Sequence, residues 1–563
     1  MPSEGHAVMQ EGQSPLELLR GVAHWLTGAM LLVALGAAIG LWGARVLRRR
    51  GLHHAWAGAG LALALPAQSL DGSRASLPVT LAALCALKRS RRWHREDLEA
   101  GEDLAQAARD RRGPRALAVE LLARVRFVRA RALESPSAFG AGTIVLGRDE
   151  RWRAALIPLG GAAGGSHALV VGATGSGKTV TQSRIAVGAI EQGMGAVVLD
   201  PKGDAAMRGA LLGATARAGR RFIEWAPDGA AVYNPFATGT ETEIADKALA
   251  GERFTEPHYL RQAQRYLAHA VRALRCAAAG EEVSLRRIVE CLEPTRLELL
   301  ARELPTAHAQ ALHAYLDSLS ARQQGDLAGV RDRLAILAES DVGAWLDPQT
   351  RGAPRFELLA SLRERAVVYF SLQSDRRPLL SQMLAAAIVQ DLQTVVAASQ
   401  SRPLPTLVAI DEFSALAADG VVRLFGRARS AGFSLLLGTQ ELSDLRPPGR
   451  ERVLEQVMGN LTVLIAHRQV VVESAETIAG LAGGVGAWRV SRHSDGRTTR
   501  TRTHRPQLEA ERVRRLEQGQ AAVIELGKDN GAQLVRVFPP PPPPAGRAGA
   551  REAQVDDRER SGR

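Results

Sequence analysis

Apolar positions recur along this chain in three rhythms, and each predicts a different kind of element. The first is continuous. From Val22 to Ala44 no formally charged residue interrupts a run rich in Leu, Ala, Gly and Val. As a helix those residues rise roughly 34 Å, enough to cross a bilayer core. Trp25 and Trp42 lie near its ends, where interfacial anchors sit. The long polar leader, the length of the run and the lack of an A-x-A site argue against a cleavable signal peptide. Two more apolar stretches, His53–Leu70 and Ala75–Leu87, are divided by Asp71-Gly-Ser-Arg74. They read either as a hairpin of two further crossings or as re-entrant or interfacial packing. Basic clusters follow at Arg45, Arg48, Arg49 and Arg50, and again at Lys88, Arg89, Arg91, Arg92 and Arg95. Basic residues beside a span stay cytoplasmic, so a short external N-terminus and a cytoplasmic remainder are expected.

The second rhythm is a series of short apolar runs separated by helix-compatible segments. Ala168–Val171, Gly195–Asp200, Arg221–Trp225, Ala366–Ser371, Thr406–Ile410, Phe433–Gln440 and Thr462–Ala466 read as buried strands. Their alternation with helices predicts an α/β fold with a doubly wound, mostly parallel sheet, whose ligands gather at the carboxyl ends of the strands. Thr143–Gly147 and Arg153–Pro158 look like a short hairpin, and Gly160–Gly165 like a flexible approach to the strand at Ala168. The third rhythm is helical throughout. Residues 241–346 read as an inserted all-α domain of four to six helices, with Leu260–Leu274 its clearest face. Tyr266, Arg272, Arg275, Arg286 and Arg287 there fit solvated helix faces better than nucleic-acid contacts.

These boundaries give a membrane anchor at 1–95 and a juxtamembrane linker with an amphipathic helix at 96–138. The α/β body follows at 139–240 and 347–538, interrupted by the insertion at 241–346, and a Pro-rich disordered tail at 539–563. The amphipathic stripe of Arg115–Leu133 suits either a membrane surface or docking onto the body. Arg489–Arg515 holds nine arginines among Thr, Ser and His, which suits a phosphate-contacting loop or a solvated hairpin equally. Pro539–Pro544 reads as a polyproline II spacer.

Composition narrows the partners. With 72 Lys+Arg against 59 Asp+Glu, the net charge of +13 points to an anionic partner, nucleic acid or anionic lipid. Cys85, Cys276 and Cys291 show no pairing pattern, as suits a reducing cytoplasm. The 13 histidines show no metal-ligand spacing, so no zinc site is expected.

The chemistry lies at the strand ends. Gly172-Ala-Thr-Gly-Ser-Gly-Lys178-Thr179 fits G-x-x-x-x-G-K-[ST] between the strand at Ala168 and a helix beginning near Val180. Gly172, Thr174, Gly175, Ser176, Gly177, Lys178, Thr179 and Val180 are the expected nucleotide contacts. Backbone N–H groups and the helix N-terminus would cradle phosphates, and Lys178 would reach the β- and γ-phosphates. Only five of the cations are lysines, so a lysine at this position is selective: a compact ammonium fits inside such a loop and a guanidinium fork does not. Asp411 and Glu412 end the strand from Thr406. Asp411, with the Thr179 hydroxyl, is expected to hold Mg²⁺, and Glu412 to activate the attacking water. Gln440 ends the next strand and is placed to sense the γ-phosphate.

These features, with Asp200-Pro-Lys-Gly-Asp204 after the second strand, resemble the type IV coupling proteins of bacterial conjugation over roughly Phe139 to Val537. The resemblance implies a RecA-like P-loop ATPase using ATP and Mg²⁺ and a ring of six copies with nucleotide between neighbours. It also implies an arginine supplied in trans. Arg429 matches that finger by position, and Arg468 is the second choice. By the same resemblance the chain would pump relaxase-processed single-stranded DNA, without sequence preference, from a relaxosome to a type IV secretion channel in the cytoplasmic membrane. Two alternatives stand beside it: an ATP-switched docking receptor for relaxase or effector proteins, and a cell-division-type chromosome translocase. The second usually carries a C-terminal winged-helix module, which is not evident after Gln520.

Overall fold

The computed structural model describes residues 15–50, 52–62, 73–99, single positions between 113 and 125, 142–159, 165–252, 254, 256–277, 282–350, 352–416, 418–446, 452–492, 498–527 and 531–542. The strands are β1 (Thr143–Asp149), β2 (Ala154–Pro158), β3 (Ala168–Val171), β4 (Gly195–Asp200), β5 (Phe222–Trp225), β6 (Val232–Tyr233), β7 (Arg355–Phe356) and β8 (Val367–Ser371). They continue with β9 (Thr406–Ile410), β10 (Phe433–Thr439), β11 (Val463–Ala466), β12 (Gly484–Arg492), β13 (Thr498–Pro506), β14 (Gln520–Glu525) and β15 (Ala532–Val537). The chain forms two units. One comprises Met1–Arg126 and Val485–Arg505, the other Phe127–Gly484 and Pro506–Arg563.

In the first unit a 35-residue helix, Pro15–Arg49, contains the expected span and overruns it at both ends. Leu19, Trp25, Met30, Leu31 and Trp42 on it are exposed, as lipid-facing side chains would be. Its segment Val22–Arg49 is one of two described helices long and apolar enough to cross a membrane; the other, Pro378–Ala398, is mostly buried in the second unit. The expected short arm at Ala75–Leu87 is instead one continuous helix, Ser73–Glu99, with Pro78 inside its first turns. Residues 96–99, expected to open the linker, belong to that helix, and the stretch 63–72 and most of 100–141 lie outside the described residues. The two long helices meet through glycines. A Cβ on Gly36 would stand 2.8 Å from the Pro78 carbonyl oxygen, and one on Gly40 would stand 2.5 Å from that of Ala82. Small residues spaced by four allow this backbone approach. Arg48 donates to Asp97 at 2.6 Å beside the contact. β12 and β13, within the arginine-rich segment, pair as a two-stranded sheet that groups with this unit rather than with the second.

The second unit is built on an eleven-stranded sheet in the order β2-β1-β15-β14-β11-β3-β10-β9-β4-β8-β5. From β11 to β5 every neighbouring pair is parallel. Except for the edge strand β5, whose positions alternate, these strands are buried on both faces and largely apolar, as interior parallel strands are. β14, β15, β1 and β2 extend one edge in antiparallel fashion. Helices Lys178–Glu191, Ala205–Arg217 and Pro378–Ala398 cover the faces. The insertion is a set of six helices between Glu241 and Ala338, within the predicted range. Its apolar side chains belong to the same continuous core as β4, β8 and β9, so it packs into the body rather than standing apart.

Candidate functional site

β3, β10 and β9 lie side by side and in parallel, which brings their carboxyl ends to one place. The phosphate-binding sequence leaves β3 there. Gly175 and Gly177 adopt φ of +75° and +109°, a left-handed conformation that favours glycine and lets successive N–H groups turn inward. The helix from Lys178 starts immediately after. The hydroxyl of Ser176 is buried and makes no hydrogen bond within the protein, which suits a loop that closes round an external acceptor.

Lys178 is buried, and its Nζ donates to Glu412 Oε1 at 2.8 Å and stands 3.1 Å from Asp411 Oδ1. Gln440 Nε2 donates to the same Glu412 oxygen at 3.0 Å. Thr174 Oγ1 reaches Gln440 Oε1 at 3.4 Å. Thus Lys178, Asp411, Glu412 and Gln440, from three strand ends, gather as expected. Thr179 and Val180 open the helix beside them. Space for the cluster comes from Gly438: a Cβ there would fall 2.2 Å from Gln182 Nε2 and 2.5 Å from Asp411 Oδ1.

The two carboxylates differ in their surroundings. Burial pushes Asp411 upward, and the adjacent Glu412 charge adds to this, against the attraction of Lys178. Burial also pushes Glu412 upward. The hydrogen bond and charge of Lys178, with Gln440 and Lys202, outweigh it and hold that carboxyl below the ordinary glutamate range.

The Asp-Pro-Lys-Gly-Asp string has a physical reading at nearly every position. Asp200 accepts the N–H groups of Lys202, Gly203 and Asp204 and the hydroxyl of Tyr369, folding the turn onto β4. Gly203 has φ +74°, and a Cβ on it would stand 2.6 Å from Ser371 Oγ. Asp204 caps the helix from Ala205, accepting from the N–H groups of Ala206 and Met207. The turn presents Lys202, whose Nζ lies 3.5 Å from Glu412. Lys202, Ser374, Gln382, Glu412 and Gln440 line one cleft. Lys202 belongs to the site although the sequence marked it only as part of a signature.

Arg429 is not brought to this cluster. It lies at the end of the helix that precedes β10, and its carbonyl accepts from Gly165 ahead of β3, at the amino ends of the strands. Arg468 sits beside its own chain's loop, its carbonyl accepting from Ala173 N–H at 3.0 Å.

Among the histidines, whose sequence spacing suggests no zinc site, His53, His54 and His94 have ring nitrogens within 4.8 Å of one another. Ligands some forty residues apart carry no spacing signature.

Residues 405–518, from β9 to the helix before β14, match a family model described as the TraM recognition site of TraD and TraG. Among solved structures, the bacterial conjugative coupling protein TrwBdeltaN70 in an unbound monoclinic form is 18% identical. The match covers 66% of this chain and 84% of that one, with a TM-score of 0.51. TrwB in complex with ADP and Mg²⁺ is 19% identical, covering 66% and 85%, with a TM-score of 0.48. VirB4 of Thermoanaerobacter pseudethanolicus is 13% identical, covering 71% and 97%, also at 0.48. Among curated proteins none matches. The first of these structures shares the RecA-like fold, and the family model supports the resemblance to type IV coupling proteins.

Proposed function

We propose that this chain is an ATP-driven DNA translocase of a conjugative type IV secretion system, anchored in the cytoplasmic membrane. The observation that carries the reading is the convergence of Lys178, Asp411, Glu412 and Gln440 within hydrogen-bonding or ion-pair distance at the ends of β3, β9 and β10. Nucleotide would lie along Gly172–Val180, and Thr179 and Asp411 would hold Mg²⁺, which supplies charge neutralisation on the phosphates. Solved relatives described with ADP and Mg²⁺ and with an ATP analogue are in keeping with this.

Lys178 cannot bond Glu412 and a phosphate oxygen with the same proton. The ammonium has three, so a bound triphosphate would draw donors from the carboxylates to phosphate oxygens, and Glu412 would return toward its ordinary pKa as its bond to Lys178 weakens. It is then free to take the proton of the attacking water, which Gln440 orients. Lys202, 3.5 Å from Glu412, is a second cation beside that carboxylate.

In a ring of six, Arg429 is the better trans-acting finger, because it lies at the opposite ends of the strands from its own loop, whereas Arg468 adjoins that loop. The net charge of +13 suits DNA held through its backbone. The family described as a TraM recognition site supports contact with relaxosome proteins through 405–518. A docking receptor that uses ATP only as a switch does not require Glu412 and Gln440 to share a hydrogen bond.

The test is Lys178→Ala in the full chain. ATP turnover and plasmid transfer should both be lost while the protein still fractionates with the membrane, and single-stranded DNA should stimulate the ATPase of the unaltered chain. Normal transfer by Lys178→Ala would sink the reading.

A further inference from the structure

Of the buried titratable groups outside the cluster just described, His467 has the most informative neighbours. It follows β11, is fully buried, and touches two segments far away in sequence. Its Nδ1 lies 2.8 Å from the carbonyl oxygen of Gln520, which can only accept, so Nδ1 carries the proton. Its Nε2 lies 2.8 Å from the Thr181 hydroxyl. With Nδ1 protonated, a neutral ring receives that hydroxyl at Nε2. Burial lowers its pKa to about 4, the Gln520 carbonyl opposing and the Lys178 charge adding, so the ring is neutral near pH 7.

A buried histidine with two partners is ordinarily a piece of core. Here both partners belong to the housing of the phosphate loop. Thr181 is in the first turn of the helix that Lys178 begins. Gln520 ends a turn that touches the loop itself: Gly519 N–H donates to the Ser176 carbonyl at 2.9 Å. A Cβ on Gly177 would meet Gly519 N at 3.2 Å. The residues round His467 complete the attachment. His467 N–H donates to the Val171 carbonyl at 2.8 Å, and Ala173 N–H to that of Arg468 at 3.0 Å. A Cβ on Gly172 would stand 2.6 Å from His467 Cβ, so the loop's first glycine is needed to admit this side chain.

We infer that His467 is a positioning residue for the phosphate loop, a neutral imidazole strut that ties the loop's helix to the turn before β14 and so fixes the loop in nucleotide-binding shape. The inference rests on the reading above that Gly172–Val180 binds nucleotide. It assigns to His467 no contact with the nucleotide; the effect runs through Thr181 and through Gln520. Preorganisation of this kind acts on binding more than on the chemical step.

Full-length chain in detergent micelles, titrated with mant-ADP and Mg²⁺, gives the test. His467→Ala should weaken binding about 10-fold or more, and Thr181→Val similarly, while the double variant is no weaker than the worse single one. His467→Gln, whose amide can both donate and accept, should stay within about 3-fold of the parent. At saturating ATP, kcat of His467→Ala should fall by less than about 3-fold while KM rises, the opposite of Glu412→Gln. Binding by His467→Ala within about two-fold of the parent, or losses at His467 and Thr181 that simply add, would overturn the inference and leave the ATPase reading intact. If the unaltered chain bound no mant-ADP, the ATPase reading would fail first and take this inference with it.

Discussion

Glu412 stands at φ +48°, in the left-handed region, without being glycine. Such a conformation costs on the order of 1–3 kcal/mol and persists only where its surroundings enforce it. Here Lys178 and Gln440 both bond its side chain, so the strained backbone and the carboxylate's aim are one arrangement. Glu412→Gln keeps the shape and a hydrogen-bonding oxygen but removes the proton acceptor. ATP turnover should fall at least about 100-fold with mant-ADP affinity nearly unchanged, as steady-state assay and fluorescence titration would show. A second prediction belongs to His167 and His467. Burial, the first cause in each, holds both at about 4, against 6.5 for a free side chain. The unfolded chain therefore binds more protons between these values, and stability must fall as pH drops from 6.5 toward 4. Each ring contributes at most about 3 kcal/mol over that window. The thermal midpoint should decline from pH 7 to pH 5, and His467→Gln should flatten the decline. A pH-independent midpoint would contradict the buried, neutral assignment.

The elements that carry the site were the easiest to read. β3, β4, β9 and β10 are continuous apolar runs ending in Gly, Asp or Gln, and their boundaries agree with the sequence reading to within a residue or so. The helix Ser73–Glu99 runs past the expected arm because the apolar run stops at Leu87, whereas the helix continues through the basic cluster that follows. β15, paired on both sides by β1 and β14, was missed because its exposed and buried positions alternate over only six residues. His467 could not be found as a strut, since Thr181 and Gln520 are 286 and 53 residues distant in sequence. The anchor gives a prediction at this scale. Gly36 and Gly40 admit the backbone of Ser73–Glu99 with no room for a side chain. Gly40→Leu should therefore separate the two helices. Engineered cysteines placed across the contact should cross-link in the parent and fail to do so in the variant, while alkaline extraction still finds the chain in the membrane.

At the scale of the whole molecule, three of the five lysines mark places where a compact cation is held by carboxylates. Lys178 and Lys202 face the acids of the site, and Lys247 is fully buried elsewhere. Lys247 Nζ donates to Asp391 at 2.6 Å, to the Pro235 carbonyl at 2.9 Å and to the Thr238 carbonyl at 2.6 Å. Asp391 also accepts the Tyr233 hydroxyl at 2.6 Å. Lys247 lies in the first helix of the insertion and Asp391 in the core helix Pro378–Ala398, so this network fastens the insertion to the α/β body. Three donors spreading from one ammonium satisfy it in a way a planar guanidinium would not. Lys247→Met leaves Asp391 buried without its cation and should cost about 3–5 kcal/mol. Replacing all three members, as Lys247→Met with Asp391→Leu and Tyr233→Phe, removes the stranded charge and should recover most of that loss. Thermal midpoints of the two variants decide the matter. If the single substitution is harmless, or the triple one is no better than the single, the insertion is held to the body by its apolar contacts alone.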